Sequence, residues 1–381
     1  MNVHLNGSLP LHAKLAWGAP TARERGPILL SGAQANAIGA YAGNYAPYRA
    51  MALATGALDA GHRPDLSATH PVAEIGPFDT WVRPFATMDK FGHRVAEDFA
   101  EERAAGFDIR PAIAVARGEL RFPEILEALS AGRIKADGRV LHHDGSIHVT
   151  KIAIEPVWHL PSLAARIGVK QCALRTALVE QSGGMYPAIC TRPDIELFLP
   201  PIGGTSIYLF GDPARLGSAA LVTCRIHDKC NGSDVFGSDM CTCRPYLSFG
   251  IEACIQGAQQ GGIGILSYNR KEGRSLGEVV KYLVYNARPR AACGDREEDY
   301  FARTRAVAGV EDMRFQSMAT DPLLWLGVRK IDRWASMSNL KSDALRRAGI
   351  EIGEHLVIPD DLVPQNARVE IGAKKTSGYF F

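Results

Sequence analysis

The feature that most constrains the fold is an alternation of strand-like and helix-like segments that begins near residue 205. Short apolar runs of strand length alternate with longer segments whose apolar residues recur at helical spacing. The predicted strands are SIYLF, AALVTCRI, GIGILSY and KIDRWAS, and the predicted helices are RPYLSFGIEACIQGAQ, SLGEVVKYLVYNA, PLLWLGV and LKSDALRRAG. Strands that alternate with helices in this way predict an α/β (α+β) fold built around a mixed sheet.

The region before this alternation gives a weaker pattern. Helical spacing predicts helices over residues 87–105, 123–131 and 160–167. A turn at Asp144-Gly145 precedes alternating apolar residues that predict a strand. This region is therefore predicted to be mostly helical.

The chain has 381 residues, which is too many for one ordinary core and suits two domains. The segment FLPPIGGTS, residues 198–206, contains the Pro-Pro and Gly-Gly pairs that interrupt secondary structure. We therefore predict a mostly helical N-terminal domain of residues 1–200 and a C-terminal domain of residues 201–381 with the mixed sheet.

Composition excludes several classes of function. The net charge is +2, so no general attraction to nucleic acid or to an anionic membrane is expected. No stretch approaches the run of about 18 apolar residues that a membrane span needs. Residues 1–18 lack the charged and then apolar plan of a signal peptide. A cytoplasmic protein with reduced or metal-bound cysteines is the expectation.

Three of the eight cysteines form the most specific local motif. Cys241 and Cys243 are one residue apart, and Cys230 precedes them across a glycine-containing loop. Three thiolates can bind one zinc ion and leave its fourth position for water, as in catalytic sites. Cys224 or His227 is close enough in sequence to complete a closed structural site instead. Three buried, reduced cysteines are a further interpretation, since free cysteine is commonly buried.

Read together, three motifs resemble those of GTP cyclohydrolase II. They are Arg225-Ile226-His227, the cysteine spacing, and Asn269-Arg270-Lys271-Glu272-Gly273-Arg274-Ser275-Leu276-Gly277. This resemblance covers residues 205–360. The segments SGGMYPAICTRPDIELFLPPIGG and VEIGAKKTSGYF are similar to the longer GTP cyclohydrolase II-like proteins of uracil catabolism, over the whole chain. That wider resemblance implies UTP as the substrate and makes the N-terminal domain specific to these longer proteins.

The resemblance implies roles for the catalytic residues. Cys230, Cys241 and Cys243 become the zinc ligands, and zinc lowers the pKa of a bound water to about 7, so that it can attack the ring. Tyr285 matches the catalytic tyrosine, which donates a proton to the opening ring. Tyr282 is the alternative on the same predicted helix. Asp312 and Arg314 match an Asp-x-Arg pair, which the resemblance implies to be catalytic.

Because the pKa of arginine exceeds about 12, a nucleophilic role for Arg314 is chemically awkward. We expect it to stabilise charge on the phosphate, with an ordinary surface ion pair as the plain alternative. The resemblance implies contacts with the triphosphate and its Mg²⁺ ion just after a strand and before a helix, where a helix N-terminus favours anions. The predicted substrate-binding residues on these motifs are Arg225, His227, Arg270, Glu272, Gly273 and Arg274.

Two segments depart from the GTP cyclohydrolase II pattern. Tyr246 stands where the family has a glutamine that can pair with a base edge, and tyrosine cannot reproduce that amide. The family segment Thr-Asn-Asn-Pro-x-Lys becomes Met337-Ser338-Asn339-Leu340-Lys341-Ser342 here, with the threonine replaced, Asn339 kept and the lysine displaced by one position. Tyr246, Asn339 and Lys341 are the predicted substrate-binding residues of these segments. The same chemistry on a different base would explain both changes.

Three functions therefore compete. The first is a zinc-dependent UTP cyclohydrolase, and the second is GTP cyclohydrolase II itself, which releases formate and pyrophosphate from GTP. The third is a non-catalytic protein that binds zinc and a nucleotide; the presence of all the implied catalytic residues argues against it. The resemblance also suggests a homodimer.

Overall fold

A computed structural model describes residues 14–292 and 294–380. Cys293 and most of the N-terminal stretch considered for a signal peptide lie outside the described residues. The chain forms two compact units, each made of several segments. The first comprises the described part of Met1–Pro71 with Asp79–Ala114 and Ile154–Gly204; the second comprises Val72–Phe78, Val115–Ala153 and the described part of Thr205–Phe381.

Ten strands occur within the described residues. In chain order they are Ala37–Gly39 (β1), Ile113–Leu120 (β2), Ile147–Ile154 (β3), Trp158–His159 (β4), Leu197–Leu199 (β5), Thr205–Phe210 (β6), Val222–Asp228 (β7), Ile263–Asn269 (β8), Lys330–Trp334 (β9) and Glu351–His355 (β10).

The α-helices found in the described residues are Ala22–Arg25 (α1), Ala46–Ala54 (α2), Val95–Asp98 (α3), Ala100–Ala104 (α4), Pro123–Ser130 (α5), Leu160–Ile167 (α6), Gln171–Gln181 (α7), Ala188–Thr191 (α8), Asn231–Asp234 (α9), Cys243–Gln259 (α10), Glu278–Ala287 (α11), Tyr300–Ala308 (α12), Asp321–Trp325 (α13), Asn339–Arg347 (α14) and Arg368–Thr376 (α15). Short 3-10 helices are Gly43–Tyr45, Asp79–Val82, Pro213–Arg215, Glu272–Ser275, Glu297–Asp299, Gln316–Thr320, Asp360–Leu362 and Gln365–Ala367. No described helix is both long enough and apolar enough to cross a membrane.

The first unit contains a small sheet in the order β1-β5-β4. β5 pairs in parallel with β1 and antiparallel with β4. Along β5, Leu197 and Leu199 pack into one apolar cluster, and Phe198 between them packs into another. Because successive side chains of a strand point to opposite faces, this short strand supplies both clusters.

The second unit is organised by a seven-stranded mixed sheet in the order β10-β9-β7-β8-β6-β3-β2. β7 is parallel to β8 and β9, whereas β6 runs antiparallel to β8. The long helix α10 connects β7 to β8, as a parallel pair requires. Its Leu247, Ile251 and Ile255 are buried in a cluster with Phe210 and Leu266 of the sheet.

The predicted mixed α/β fold is confirmed, and most predicted elements of the second half are present. The predicted helix over 160–167 coincides with α6, and that over 123–131 with α5. The predicted single helix over 87–105 is wrong: no helix forms in this described segment before Val95, and the remainder is divided into α3 and α4 at Phe99, which has φ −126° and ψ 34°. Phe99 is only 1% exposed, so burial of its ring accompanies the break.

The predicted division at residue 200 remains a prediction. The two compact units are not separated by a single cut in the chain. β3 precedes residue 200 but lies next to β6 in the seven-stranded sheet, and β2 lies next to β3. The strand predicted after the turn at Asp144-Gly145 is present as β3, in which Ile147, Val149 and Ile152 are buried.

Candidate active site

Three neighbouring parallel strands end at the same edge of the large sheet. The segments that follow Asp228 in β7, Asn269 in β8 and Trp334 in β9 therefore leave the sheet side by side. This edge of parallel strands is the usual place for ligand sites in α/β proteins. These segments line a cavity whose empty space, including the part open to solvent, is about 990 Å³.

The three predicted zinc ligands meet in this cavity. Cys230 lies between β7 and α9, Cys241 lies just before α10, and Cys243 is the first residue of α10. Their sulfur atoms all lie within 4.8 Å of one another, and those of Cys230 and Cys241 are 3.5 Å apart. No other group of three or more potential metal ligands occurs in the part of the chain that the structure describes.

Of the described residues considered for a fourth ligand, neither Cys224 nor His227 joins the group. Cys224 is fully buried within β7, and burial raises the pKa of its thiol. His227 Nε2 lies 3.0 Å from a carboxylate oxygen of Asp234, which also accepts a hydrogen bond from the backbone N–H of Cys230 at 2.9 Å. His227 therefore positions the loop that carries Cys230.

The cluster has the chemistry of a zinc site. Hydrogen bonding with Cys241 raises the pKa of Cys230 to about 11. Hydrogen bonds from Cys230 and Cys243, in turn, lower the pKa of Cys241. The protonation of each thiol therefore depends on its neighbours. A divalent cation would neutralise the charge of further thiolates, and zinc is commonly bound by three or four such ligands. The number, spacing and burial of the thiols fit zinc.

Lys281 and Glu272 hold the loop beside the cluster. Lys281 Nζ donates to the sulfur of Cys230 at 2.7 Å and to Oε1 of Glu272 at 3.0 Å. Oε2 of Glu272 accepts a hydrogen bond from the backbone N–H of Asn231 at 2.7 Å. Glu272 was predicted to bind substrate, but it does not line the cavity. Its carboxylate instead connects the segment after β8 with the segment after β7.

The segment predicted to bind phosphate departs from the expected helix N-terminus. A 3-10 turn, Glu272–Ser275, separates it from α11, which begins at Glu278. Gly273 and Arg274 have φ values of 56° and 61°, a region that a residue with a side chain seldom adopts. Both residues line the cavity. A tight left-handed turn, and not a helix terminus, therefore presents Arg274.

The cavity is strongly cationic although the net charge of the chain is small. Asp228 and Glu370 are the carboxylates on its described wall. Eight cationic side chains of described residues line it, namely Arg225, Lys229, Lys271, Arg274, Lys281, Arg314, Lys341 and Lys374. This concentration of positive charge suits a polyanionic ligand such as a triphosphate.

Arg314 is fixed by two carboxylates. Its Nε lies 2.9 Å from both carboxylate oxygens of Asp312, and its Nη1 donates to Asp228 Oδ2 at 2.8 Å. Lys341 Nζ lies 2.8 Å from the same oxygen of Asp228. Burial alone would raise the pKa of Asp228, but Lys341 and Arg314 hold it well below its usual range. Asp228 therefore stays ionised and orders two cations, while Asp312 contacts Arg314 without lining the cavity.

The structure distinguishes the two tyrosines of α11. Tyr285 lines the cavity, whereas Tyr282 is 45% exposed and donates its hydroxyl hydrogen to Glu278 at 2.6 Å. Burial, reinforced by the negative charge of Cys241, raises the pKa of Tyr285 far above its ordinary value. The phenol of Tyr285 therefore keeps its proton near neutral pH and is available as a donor.

The two positions that depart from the GTP cyclohydrolase II pattern lie together. Tyr246 and Met337 pack in one buried cluster, and both line the cavity. The guanidinium carbon of Arg225 lies 5.2 Å from the centre of the Tyr246 ring. Arg225 also donates to the carbonyl oxygen of Ala335 at 2.9 Å, which fixes the chain leading to Met337. This wall is aromatic and apolar where the resemblance implies an amide.

The remaining predicted substrate-binding residues divide into two groups. Lys341 lines the cavity, but Asn339 and Arg270 do not. The side-chain oxygen of Asn339 accepts a hydrogen bond from the backbone N–H of Leu340 at 2.8 Å. Arg270 is exposed and donates to the hydroxyl of Ser206 at 2.8 Å. Binding of substrate by these two residues stays a prediction.

Sequence reasoning missed the part of the wall that comes from the C-terminal segment. Glu370 and Lys374 of α15 line the cavity, as does Tyr379. A signal was present, because residues four apart share one face of a helix, and this face also carries the buried Ile371. Charged residues on a buried face need a partner or a function. Asp228, Lys281 and Tyr300 were also missed.

Two family models match the chain. The model described as GTP cyclohydrolase N terminal matches residues 3–181, and the model described as GTP cyclohydrolase II matches residues 206–357. The second range contains the thiol cluster and the Arg314 network.

Two named relatives match nearly the whole chain, and a third matches part of it. It is 50% identical over 373 residues to "Uracil-regulated protein 1" of Schizosaccharomyces pombe, which covers 96% of this chain and 84% of that protein. It is 49% identical over 376 residues to "Putative GTP cyclohydrolase URC1" of Lachancea kluyveri, with the same coverage. It is 29% identical over 151 residues to "GTP cyclohydrolase-2" of Hahella chejuensis, which covers 40% of this chain and 68% of that protein.

Proposed function

The chain belongs to the GTP cyclohydrolase II family, whose members are hydrolases that break C–N bonds of a ring, and we propose that it opens the base ring of a nucleoside triphosphate. The observation that carries this proposal is the meeting of three clustered thiols and eight cationic side chains in one cavity. UTP is the proposed substrate.

Zinc is the proposed cofactor, with Cys230, Cys241 and Cys243 as its ligands. When bound, zinc supplies Lewis-acid activation of a water molecule for attack on a ring carbon. The side chains around the thiols prepare this position. Lys281 donates to the sulfur of Cys230, and Asp234 accepts from the backbone N–H of the same residue, so the loop is held on both sides.

Tyr285 is the proposed proton donor to the ring as it opens. A general acid must carry its proton at working pH and lie within reach of the reacting atoms. A phenol carries its proton at neutral pH, which meets the first condition, and the position of Tyr285 on the wall of the same cavity as Cys241 supports the second.

The triphosphate is proposed to bind among the cations at the ends of β7, β8 and β9. Arg274 and Lys271 follow β8, and Lys341 lies in the first turn of α14. We propose that Mg²⁺ accompanies the triphosphate, as the family resemblance implies. Asp228 is the proposed organiser of this end, since its carboxylate contacts both Lys341 and Arg314.

Arg314 is proposed to stabilise negative charge on the phosphates. Both its Nε and its Nη1 are engaged by carboxylates, and these carboxylates raise its pKa above the ordinary value although burial opposes them. A permanently protonated guanidinium has no electron pair with which to act as a nucleophile. These contacts support electrostatic stabilisation.

A uracil base is favoured over guanine by the wall of the cavity. Tyr246 and Met337 offer stacking and apolar contact in place of an amide and a threonine. A smaller base that needs fewer hydrogen bonds suits such a wall. The name of the Schizosaccharomyces pombe relative links that protein to uracil, which agrees with this choice.

Hydrolysis of GTP with release of formate and pyrophosphate is the second candidate. It is favoured by the match of residues 206–357 to GTP cyclohydrolase II and by the name of the Lachancea kluyveri relative. The two candidates share the thiol cluster and the cationic end, and they differ in the base that the wall accepts.

We also propose a homodimer in the cytoplasm. Apolar side chains of the α9–α10 loop and of α11 are exposed and could be covered by a second copy, namely Val235, Phe236, Val279 and Leu283. Sedimentation of the purified protein would test the dimer, and cell fractionation would test the location.

The deciding experiment offers UTP and GTP separately to the zinc-loaded protein in the presence of Mg²⁺. Loss of the base absorbance is followed, and the products are identified by mass. Loss of the uracil chromophore with a ring-opened or hydrated product supports the proposal. Consumption of GTP with formate release and no change in UTP would replace it with the second candidate. Stoichiometric zinc without reaction of either nucleotide would overturn both.

A further inference from the structure

The C-terminal helix α15 carries an ion pair on its buried face. Glu370 is 5% exposed, and Lys374, one turn later, contacts its Oε1 atom. Removing two charges from water costs several kcal/mol for each ion in a protein interior, and a pair of similar apolar residues is often more stable. A buried ion pair on the wall of a cavity is therefore better explained by a ligand than by stability.

Each member of this pair has one unused hydrogen-bonding position. Oε2 of Glu370 is buried and has no hydrogen-bond partner among the residues that the structure describes. Lys374 Nζ has three N–H donors, of which Glu370 Oε1 takes one and the hydroxyl of Thr242, at 3.1 Å, takes another. The pair thus combines an acceptor without a partner among the described residues and a donor next to it.

The pair also lies beside the proposed reaction centre. Thr242 stands between Cys241 and Cys243, and its contact with Lys374 brings α15 to the thiol cluster. Both Glu370 and Lys374 line the cavity. A ring held by this pair would therefore lie close to the sulfur atoms.

We infer that Glu370 and Lys374 form a binding element for the lactam edge of a base, with Glu370 accepting from the ring N–H and Lys374 donating to the adjacent carbonyl oxygen. This inference rests on the proposed function, since it assumes that a base occupies the cavity. Uracil has such an edge at N3–H and its flanking carbonyls, and guanine has one at N1–H and its carbonyl. Cytosine and adenine present a ring nitrogen without hydrogen there. The pair selects keto bases over amino bases.

Tyr246 and Met337 then act with the pair. They lie in one cluster with Ile371 of α15, the residue after Glu370. Stacking on this cluster depends on the shape of the ring, whereas the pair depends on its hydrogen-bonding edge. Residues 358–380, which follow the range matched to GTP cyclohydrolase II, thus supply part of the base specificity.

The test compares Glu370→Gln and Lys374→Met with the wild-type, zinc-loaded, full-length protein. Dissociation constants of UTP and CTP are measured by competition with a fluorescent nucleoside triphosphate, before appreciable turnover, together with zinc content. Glu370→Gln is expected to weaken UTP at least about tenfold, because a buried ring N–H loses a charged acceptor, and to lower the preference for UTP over CTP by a similar factor. Lys374→Met is expected to weaken UTP without improving CTP.

Lys375→Met is the matched control, because Lys375 is exposed on the same helix. It should keep the wild-type constants. An unchanged UTP-to-CTP ratio in Glu370→Gln overturns the inference, and so does a parallel loss of both nucleotides with loss of zinc, which would indicate a structural role. A wild-type protein that prefers UTP to CTP but opens neither base would overturn the proposed function alone. A wild-type protein without that preference overturns this inference even if UTP is opened.

Discussion

The thiol and phosphate end of the cavity and its base-binding wall are built differently. Cys230, Asp228 and Lys271 lie at or just after the ends of parallel strands, inside the range matched to GTP cyclohydrolase II. The wall combines Tyr246 and Met337 with α15, which begins at Arg368, beyond that range. Several residues proposed for the reaction thus lie at or just after strand ends, and residues proposed to choose the base come partly from an added helix.

This difference indicates how one reaction could act on a different base, because the residues for the reaction and those for base selection lie in separate regions. A strand end fixes a side chain through the paired backbone of the sheet, so Asp228 and the neighbouring Cys230 have little freedom to move. A helix that packs only through one face can be replaced without disturbing that framework. Substitutions in the two regions should therefore fail in different ways.

The largest effect is expected at the thiols. Cys241→Ser removes one of the three proposed thiolate ligands, and the serine hydroxyl that replaces it is a poor ligand for zinc. We expect loss of bound zinc and a fall in turnover of about 1,000-fold or more, measured by metal analysis and by the loss of base absorbance. Cys172→Ser, an exposed cysteine of α7, is the control and should keep both zinc and activity. Full zinc and full turnover in Cys241→Ser would remove the basis for the metal site.

The next effect is expected at Tyr285. Tyr285→Phe deletes the proposed proton donor without changing the shape of the side chain, so kcat should fall about 100-fold or more while KM and zinc content change little. Tyr282→Phe is the matched control on the same helix and should stay close to wild type. Equal effects of the two substitutions would show that Tyr285 has no special role.

A smaller effect, dependent on pH, is expected at Lys341. Burial lowers the pKa of Lys341 to about 8, and Asp228 opposes the shift only in part. Below about 8 the ammonium group is charged and can attract phosphate, and above it this charge is lost as the pH rises. The kcat/KM for UTP should therefore decline above pH 8, by about tenfold in total for one charge-assisted hydrogen bond.

The pH series is repeated with two variants. Lys341→Met should lower kcat/KM at neutral pH and abolish the decline above pH 8. Lys330→Met, an exposed lysine of β9, should keep the wild-type profile. A decline that persists unchanged in Lys341→Met would assign it to another group.

The contrast between the two regions also explains how much could be predicted from the sequence. The cysteine spacing predicts that three thiols can meet, and the structure brings Cys230, Cys241 and Cys243 together, while their role as zinc ligands comes from the resemblance and stays a proposal. The strand and helix alternation likewise predicted β7, α10 and β8. The break at Phe99 could not be predicted, because helical spacing does not show which apolar residue is needed in the core.

The C-terminal wall was missed for a related reason. Glu370 and Lys374 have the spacing of an ordinary exposed ion pair, although the apolar Ile371 beside them indicates a buried face, and the packing of α15 shows that Glu370 is buried and Lys374 largely so. Conversely, Glu272 and Asn339 were predicted to bind substrate, but their side chains hydrogen-bond to neighbouring backbone N–H groups. A motif gives residue types, whereas the direction of each side chain depends on contacts distant in sequence.

The smallest expected effect concerns the base that is accepted. Tyr246→Gln restores an amide at the position where GTP cyclohydrolase II has glutamine, so the preference for UTP over GTP should fall by about tenfold. Tyr246 is 4% exposed and stacks with Arg225, so Tyr246→Phe is the control that keeps the ring and removes only the hydroxyl. The ratio of kcat/KM values is the measurement, because loss of stability alone would lower both values together. A shifted ratio with unchanged zinc content would sharpen the contrast between framework and wall, whereas a ratio that stays at the wild-type value would show that Tyr246 does not choose between the two bases.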